Sequence, residues 1–149
     1  MSQFFPPKKV YISESKVTDP KNSEFKPGKG VYAGENIKKG EVIEIAPILI
    51  LQFSDFIDTK WNLLFEYYFW MDDFVVLALG YGSLYNHSKT PNSKYDIDRE
   101  NKTLTITAIK DINKDQEIYF DYSGSSSSKA PLWFERKRLL RRFTPRNDD

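Results

Sequence analysis

Residues 78–96 read ALGYGSLYNHSKTPNSKYD and hold the only histidine of the chain, His87. Asn86 precedes it, Asn92 follows behind a proline, and Tyr81, Tyr85 and Tyr95 flank the group. A histidine can titrate near neutral pH, bind a metal or hold a backbone hydrogen bond. With 149 residues, no cysteine and no second histidine, the chain has no disulfide, no thiol nucleophile, no Cys-ligated zinc and no multi-histidine metal site. What remains is chemistry done with amides, phenols and backbone groups. Taken alone, His87 is more often structural than functional, so its meaning depends on the rest of the chain.

Outward from this stretch, short strands dominate. KVYISE (9–14) alternates, and NKTLTITAIKDI (101–112) does so strictly. GVYAGENIKKGEVIEIAPILIL (30–51) reads as two strands joined by the turn NIKKGE, with Gly40 free to take a positive φ. Pro47 is expected to end regular pairing in the second strand or to mark an edge, because it lacks an N–H. KDQE (114–117) is a turn and IYFDY (118–122) a short buried strand. The span 54–76 is too densely aromatic for a one-faced pattern. It reads as a short helix, capped by Ser54 or Asp55, or an irregular insert whose aromatics are more often core than pocket. SGSSSSKAP is a flexible linker. LWFERKRLLRR (132–142) then has helical spacing, with Trp133 and Leu140 on one stripe. Strand signals every 8 to 12 residues with one terminal helix point to a mainly β fold.

Composition bounds the class. Hydrophobic residues at 40% and charged residues at 29% fit one globular domain, and aromatics at 15% suit a ring-lined pocket as well as a core. A net charge of +1 gives no overall pull toward nucleic acid or membrane. The N-terminal MSQFFPPKKV lacks the long apolar core of a signal peptide, and no apolar run approaches the roughly 18 residues of a membrane span. A soluble, intracellular protein, of cytoplasm or nucleus, is expected. The basic run RKRLLRR reads as a solvated helix face, with an acidic-partner or nucleic-acid role as the lesser reading.

Three separated pieces then align: GKGVYA (28–33), YNHSKTPN (85–92) and EIYFDYS (117–123). In this order they resemble the SET-domain protein lysine methyltransferases, over about residues 9–143. DINKDQEIYFDY resembles the acidic turn and terminal strand of that family, and ENIKKGEVI its second strand pair. The resemblance implies small twisted sheets in which the C-terminal strand passes under the Asn-His loop, a pseudoknot that departs from the usual unthreaded topology. It implies a single SET domain with a core at about 9–123, a linker at 124–131 and a C-terminal aromatic and basic helix at 132–143.

It also implies S-adenosylmethionine as cofactor and a lysine-bearing protein substrate, histones being the best-known targets, with no metal. Gly28, Lys29 and Gly30 would bring backbone against the methionine end of the cofactor. Asn86 would hydrogen-bond it through the amide, His87 would hold the adenine side through backbone and ring packing, and Trp133 would cover the adenine. Tyr122 would be the tyrosine nearest the transferred methyl. Phe120 matches the position that limits how many methyls fit, and Tyr95 is a second candidate for the lysine channel. Tyr81 and Tyr85 are read equally as core or as channel wall. Residue chemistry agrees: a lysine must shed its proton before it attacks, and burial beside a cation favours the neutral amine, which phenols can orient without adding charge. A non-catalytic SET-like module that binds a peptide or protein is the alternative. The chain departs from the family in lacking zinc-binding cysteine clusters and in reading Asp115-Gln116-Glu117 where Gly-Glu-Glu is usual.

Overall fold

The strict alternation of TLTITA makes β8 (Thr103–Ala108), whose Leu104, Ile106 and Ala108 are buried and anchor the core. The computed structural model describes residues 9–15, 28–56, 67–71 and 73–122. The expected linker and terminal helix, with Trp133, lie outside these residues. β8 is flanked by β7 (Ser93–Asp98) and β3 (Val42–Leu51), and β3 continues to β5 (Val75–Ala78) and β4 (Phe69–Trp70), giving the order β4-β5-β3-β8-β7. β1 (Val10–Glu14) and β2 (Lys29–Ala33) form a separate antiparallel pair. β6 (Asn86–His87) and β9 (Tyr119–Phe120) form a third pair, and it is parallel. The fold is mainly β, with SET-type curled small sheets.

Three local features refine the expectations. The turn around Gly40, at φ 91°, links β2 to β3 without pairing them: β2 pairs with β1, and the turn is stitched to Ile112 through Ile37. Pro47 sits inside the central strand, not at an edge, and the regular pairing with β8 ends there as expected. The missing N–H is tolerated because β3 changes partners there. Its register with β8 runs to Pro47 and that with β5 begins at Ile48. In the aromatic insert the described helical part is only a 3₁₀ turn, Phe53–Phe56, with Asp55 accepting from the Gln52 N–H at 2.9 Å. Phe69–Ala78 is instead an antiparallel hairpin, β4 with β5. Its Trp70 and Val75 pack with Phe56 in a small second core, and Phe69 joins the main one.

The terminal segment crosses between two parts of the motif read first. On one side it pairs with β6, and Ser88 N–H donates to Phe120 O at 3.2 Å. On the other, the Asn92 side chain substitutes for a strand: Nδ2 donates to Glu117 O and Oδ1 accepts from Tyr119 N–H, both at 2.9 Å. Ser93 adds a bond to Tyr119 O at 2.6 Å. An asparagine amide can do this because it carries a donor and an acceptor side by side.

Candidate active site

β6 and β9 bring Asn86 and His87 to the end of the chain segment that carries Tyr122. The Tyr122 hydroxyl donates to Tyr85 O at 2.7 Å, and its own backbone N–H donates to His87 Nδ1 at 3.0 Å. Tyr95 donates its hydroxyl to Tyr122 O at 2.7 Å, so both sides of Tyr122 are held. Phe120 is fully buried, with ring centroids 5.0 Å from Tyr95, 5.5 Å from Tyr85 and 5.7 Å from Tyr122. The expected trio of Tyr122, Tyr95 and Phe120 thus forms one cluster.

Burial pushes the phenols of Tyr122 and Tyr95 up from their ordinary value, with nearby Glu117 and Asp121 carboxylates adding to the rise. Both therefore stay protonated at neutral pH and act as neutral hydrogen-bond donors, not as phenolate bases. His87 is shifted the other way: burial lowers its pKa, Asp121 opposes and Lys89 assists. Asp121 lies 3.7 Å from Nδ1, but the Tyr122 N–H occupies that nitrogen as an acceptor, so the ring is neutral and its proton sits on Nε2. That Nε2 is buried with no hydrogen-bond partner among the described residues.

Next to this cluster the β2 backbone meets Asn86. Asn86 Nδ2 donates to Lys29 O and to Glu117 Oε1, each at 3.0 Å. Both amide protons are spent, and Oδ1 accepts from no described residue. Gly30 faces the same carboxylate, where a Cβ would collide with Glu117 Oε1 and lie 3.0 Å from Asn86 Nδ2. At Gly28 a Cβ would meet nothing within 4 Å. Of the two expected channel tyrosines, Tyr85 is buried with its hydroxyl donated to Glu44 at 2.9 Å, and what it turns to Tyr122 is its carbonyl. Tyr81 is half-buried and packs on the core.

These features coincide with known proteins. The SET-domain family profile matches residues 28–123. The chain belongs to the SET-domain family. Over 110 residues it is 32% identical to the histone-lysine N-methyltransferase, H3 lysine-37 specific, of Schizosaccharomyces pombe, spanning 72% of this chain and 71% of that protein. A Plasmodium falciparum protein assigned as a histone methyltransferase has a solved structure at 32% identity and TM-score 0.58, covering 78% of this chain and 99% of its own. The Chaetomium thermophilum polycomb repressive complex 2 matches at 20% identity and TM-score 0.60, covering 85% of this chain and 17% of that one, a likeness of fold alone. The activity class of this SET protein is protein-lysine methylation.

Three residues at the SET site escaped sequence reasoning. Glu117 opens the third motif and ends a turn in sequence, but nothing there signals its bonds from Ser15 Oγ at 2.6 Å and Tyr119 Oη at 2.9 Å. Phe69 packs on Tyr95, Phe120 and Tyr122 at 5.0, 5.8 and 6.2 Å, but nothing distinguishes it from its aromatic neighbours in sequence. Glu44 is a lone acid in an apolar strand, and that anomaly was the available signal.

Proposed function

We propose that this SET protein is an S-adenosylmethionine-dependent protein lysine N-methyltransferase acting on a lysine ε-amine, with histones as its candidate substrates. The observation that carries the reading is that Asn86 bonds to Lys29 O and Glu117 beside Gly30, while its neighbour His87 accepts from the Tyr122 N–H. The residues suit the cofactor: Asn86 Oδ1 is the acceptor left over for a donor such as an ammonium, and the backbone at Gly28 has open space beside it. When bound, the cofactor supplies an electrophilic methyl on a sulfonium.

The chain contributes position and field. Phe69, Phe120 and Tyr95 form an apolar and phenolic wall that disfavours a charged amine. The Tyr122 hydroxyl, kept protonated and tied to Tyr85 O, fixes the geometry around the reacting nitrogen, so much of the rate is expected to come from orientation. The likeness to histone-lysine enzymes supports a nuclear, intracellular setting, and among the described residues no helix is long and apolar enough to cross a membrane.

The test is incubation with labelled cofactor, a histone mixture and total lysate, followed by mass spectrometry of modified lysines, with cofactor binding followed in parallel by calorimetry. Methylated lysines and measurable binding are expected. Absence of both would return the chain to the class of non-catalytic modules.

A further inference from the structure

We propose that Glu44 is a positioning residue for Tyr122, acting through Tyr85; this rests on the reading of Tyr122 as the active-site phenol. Three independent features of the fold converge on this carboxyl. First, the register of β3 against β8 shifts between Val42 and Glu44, a bulge that leaves Ile43 and Glu44 both buried in succession. Regular alternation would have turned one of them outward, and bulges are a recurring means of re-aiming a side chain beside a site. Second, the loop that leads into the Asn-His segment is built around it. Gly80 takes φ 59°, and a Cβ there would lie 2.5 Å from Glu44 Oε2. Third, the carboxyl holds both ends of that loop, Oε2 accepting from Tyr81 N–H and Oε1 from Tyr85 Oη, each at 2.9 Å.

The consequence lies one bond further on. With its ring pinned by Glu44 at the hydroxyl and packed on Phe120, Tyr85 presents its backbone carbonyl to the Tyr122 hydroxyl at 2.7 Å. Glu44 is 1% exposed and pairs with no described cation. An aliphatic residue would fill the site without the cost of burying a carboxyl. The carboxylate gives the backbone N–H and the phenol O–H each an acceptor oxygen of its own. Leucine keeps neither acceptor, whereas glutamine can keep both contacts by donating to the phenol oxygen.

A double-mutant cycle decides the matter, using Glu44→Leu, Tyr122→Phe and the double variant, with kcat, cofactor Kd by calorimetry and Tm measured for each. Glu44→Leu is expected to lower kcat about tenfold, the effect of one misplaced hydrogen bond, with Kd unchanged. In the Tyr122→Phe background, where no hydroxyl remains to be placed, Glu44→Leu should change kcat by less than about twofold. The same cycle with Tyr85→Phe, which removes the pinned hydroxyl and leaves the ring, keeps the test available if Glu44→Leu fails to fold. Equal loss of kcat in both backgrounds, or parent kcat in a folded Glu44→Leu, overturns the proposal alone. Parent kcat in Tyr122→Phe overturns the reading of Tyr122 and this proposal with it.

Discussion

Two buried carboxylates support the two halves of the site, and they are solvated differently. Glu117, 5% exposed, accepts from the side chains of Ser15, Asn86 and Tyr119. Glu44, 1% exposed, accepts from one backbone N–H and one phenol, and burial pushes its carboxyl up from the ordinary 4.5. A buried acid is tolerated in proportion to the donors around it. Glu117 turns its donors into a frame for Asn86, on the side proposed for the cofactor. Glu44 turns its two into a brace for the loop behind Tyr122, on the side proposed for chemistry. On the proposed reading, affinity depends on one acid and turnover on the other.

The sharpest test is Tyr122→Phe. Turnover is expected to fall about a hundredfold, the usual cost of removing one orienting donor from an active site, while cofactor affinity stays near parent. Steady-state kinetics and calorimetry read the two separately, and parallel losses would erase the division between the halves.

Next comes the exchange of each acid for its amide. Glu117→Gln sets a new NH₂ among the donors of Ser15, Asn86 and Tyr119, and urea unfolding should register a loss of about 2 kcal/mol. Glu44→Gln can hold Tyr85 by donating to its phenol oxygen and removes a buried charge, so its cost should stay below about 1 kcal/mol. Equal costs would mean that donor number does not distinguish the two sites.

Asn86→Ala removes the group that Glu117 orients. Calorimetry should show cofactor binding weaker by about 1.5 kcal/mol, with turnover at saturating cofactor less affected. A fall in turnover at unchanged affinity would move Asn86 to the Tyr122 half.

The smallest effect is on pH. His87 has a folded pKa below its ordinary 6.5, so the unfolded chain binds its proton first and stability falls as pH drops through 6.5. Glu44, raised above 4.5, acts in the opposite sense and relieves its burial cost as pH falls toward that value. His87→Asn offers Oδ1 in place of Nδ1 to the Tyr122 N–H and cannot titrate. Between pH 7.5 and 5.5 the parent should lose more unfolding free energy than this variant, by under about 1 kcal/mol. Identical slopes would show that the imidazole is not the group responsible.

Much of this was legible beforehand. β1 and β8 were read from alternation, and β2 and β3 from the two apolar runs on either side of the turn at Gly40. The ordered trio of motifs, from Gly28 to Tyr122, led to the family and its class of activity. The hairpin at Phe69–Ala78 was hidden, since a run of aromatics buried on several sides carries no period. β7 was missed as well, although its exposed Lys94, Asp96 and Asp98 alternate with the inward Ser93, Tyr95 and Ile97.

From the sequence alone came the residue types: an amide, a lone histidine and phenols, with no thiol or metal cluster to compete. Which of them meet was decided only by the crossing of residues 117–122 between Asn86–His87 and Asn92–Ser93. The contacts that matter span long separations, 31 residues from Asn86 to Glu117, 41 from Glu44 to Tyr85 and 102 from Ser15 to Glu117. Local propensity has no term for a hydrogen bond closed across such a distance. Glu44 and Glu117 therefore look in sequence like one charge in a strand and one in a turn. They become supports of the site only when the fold has removed water and left neighbouring donors to take its place.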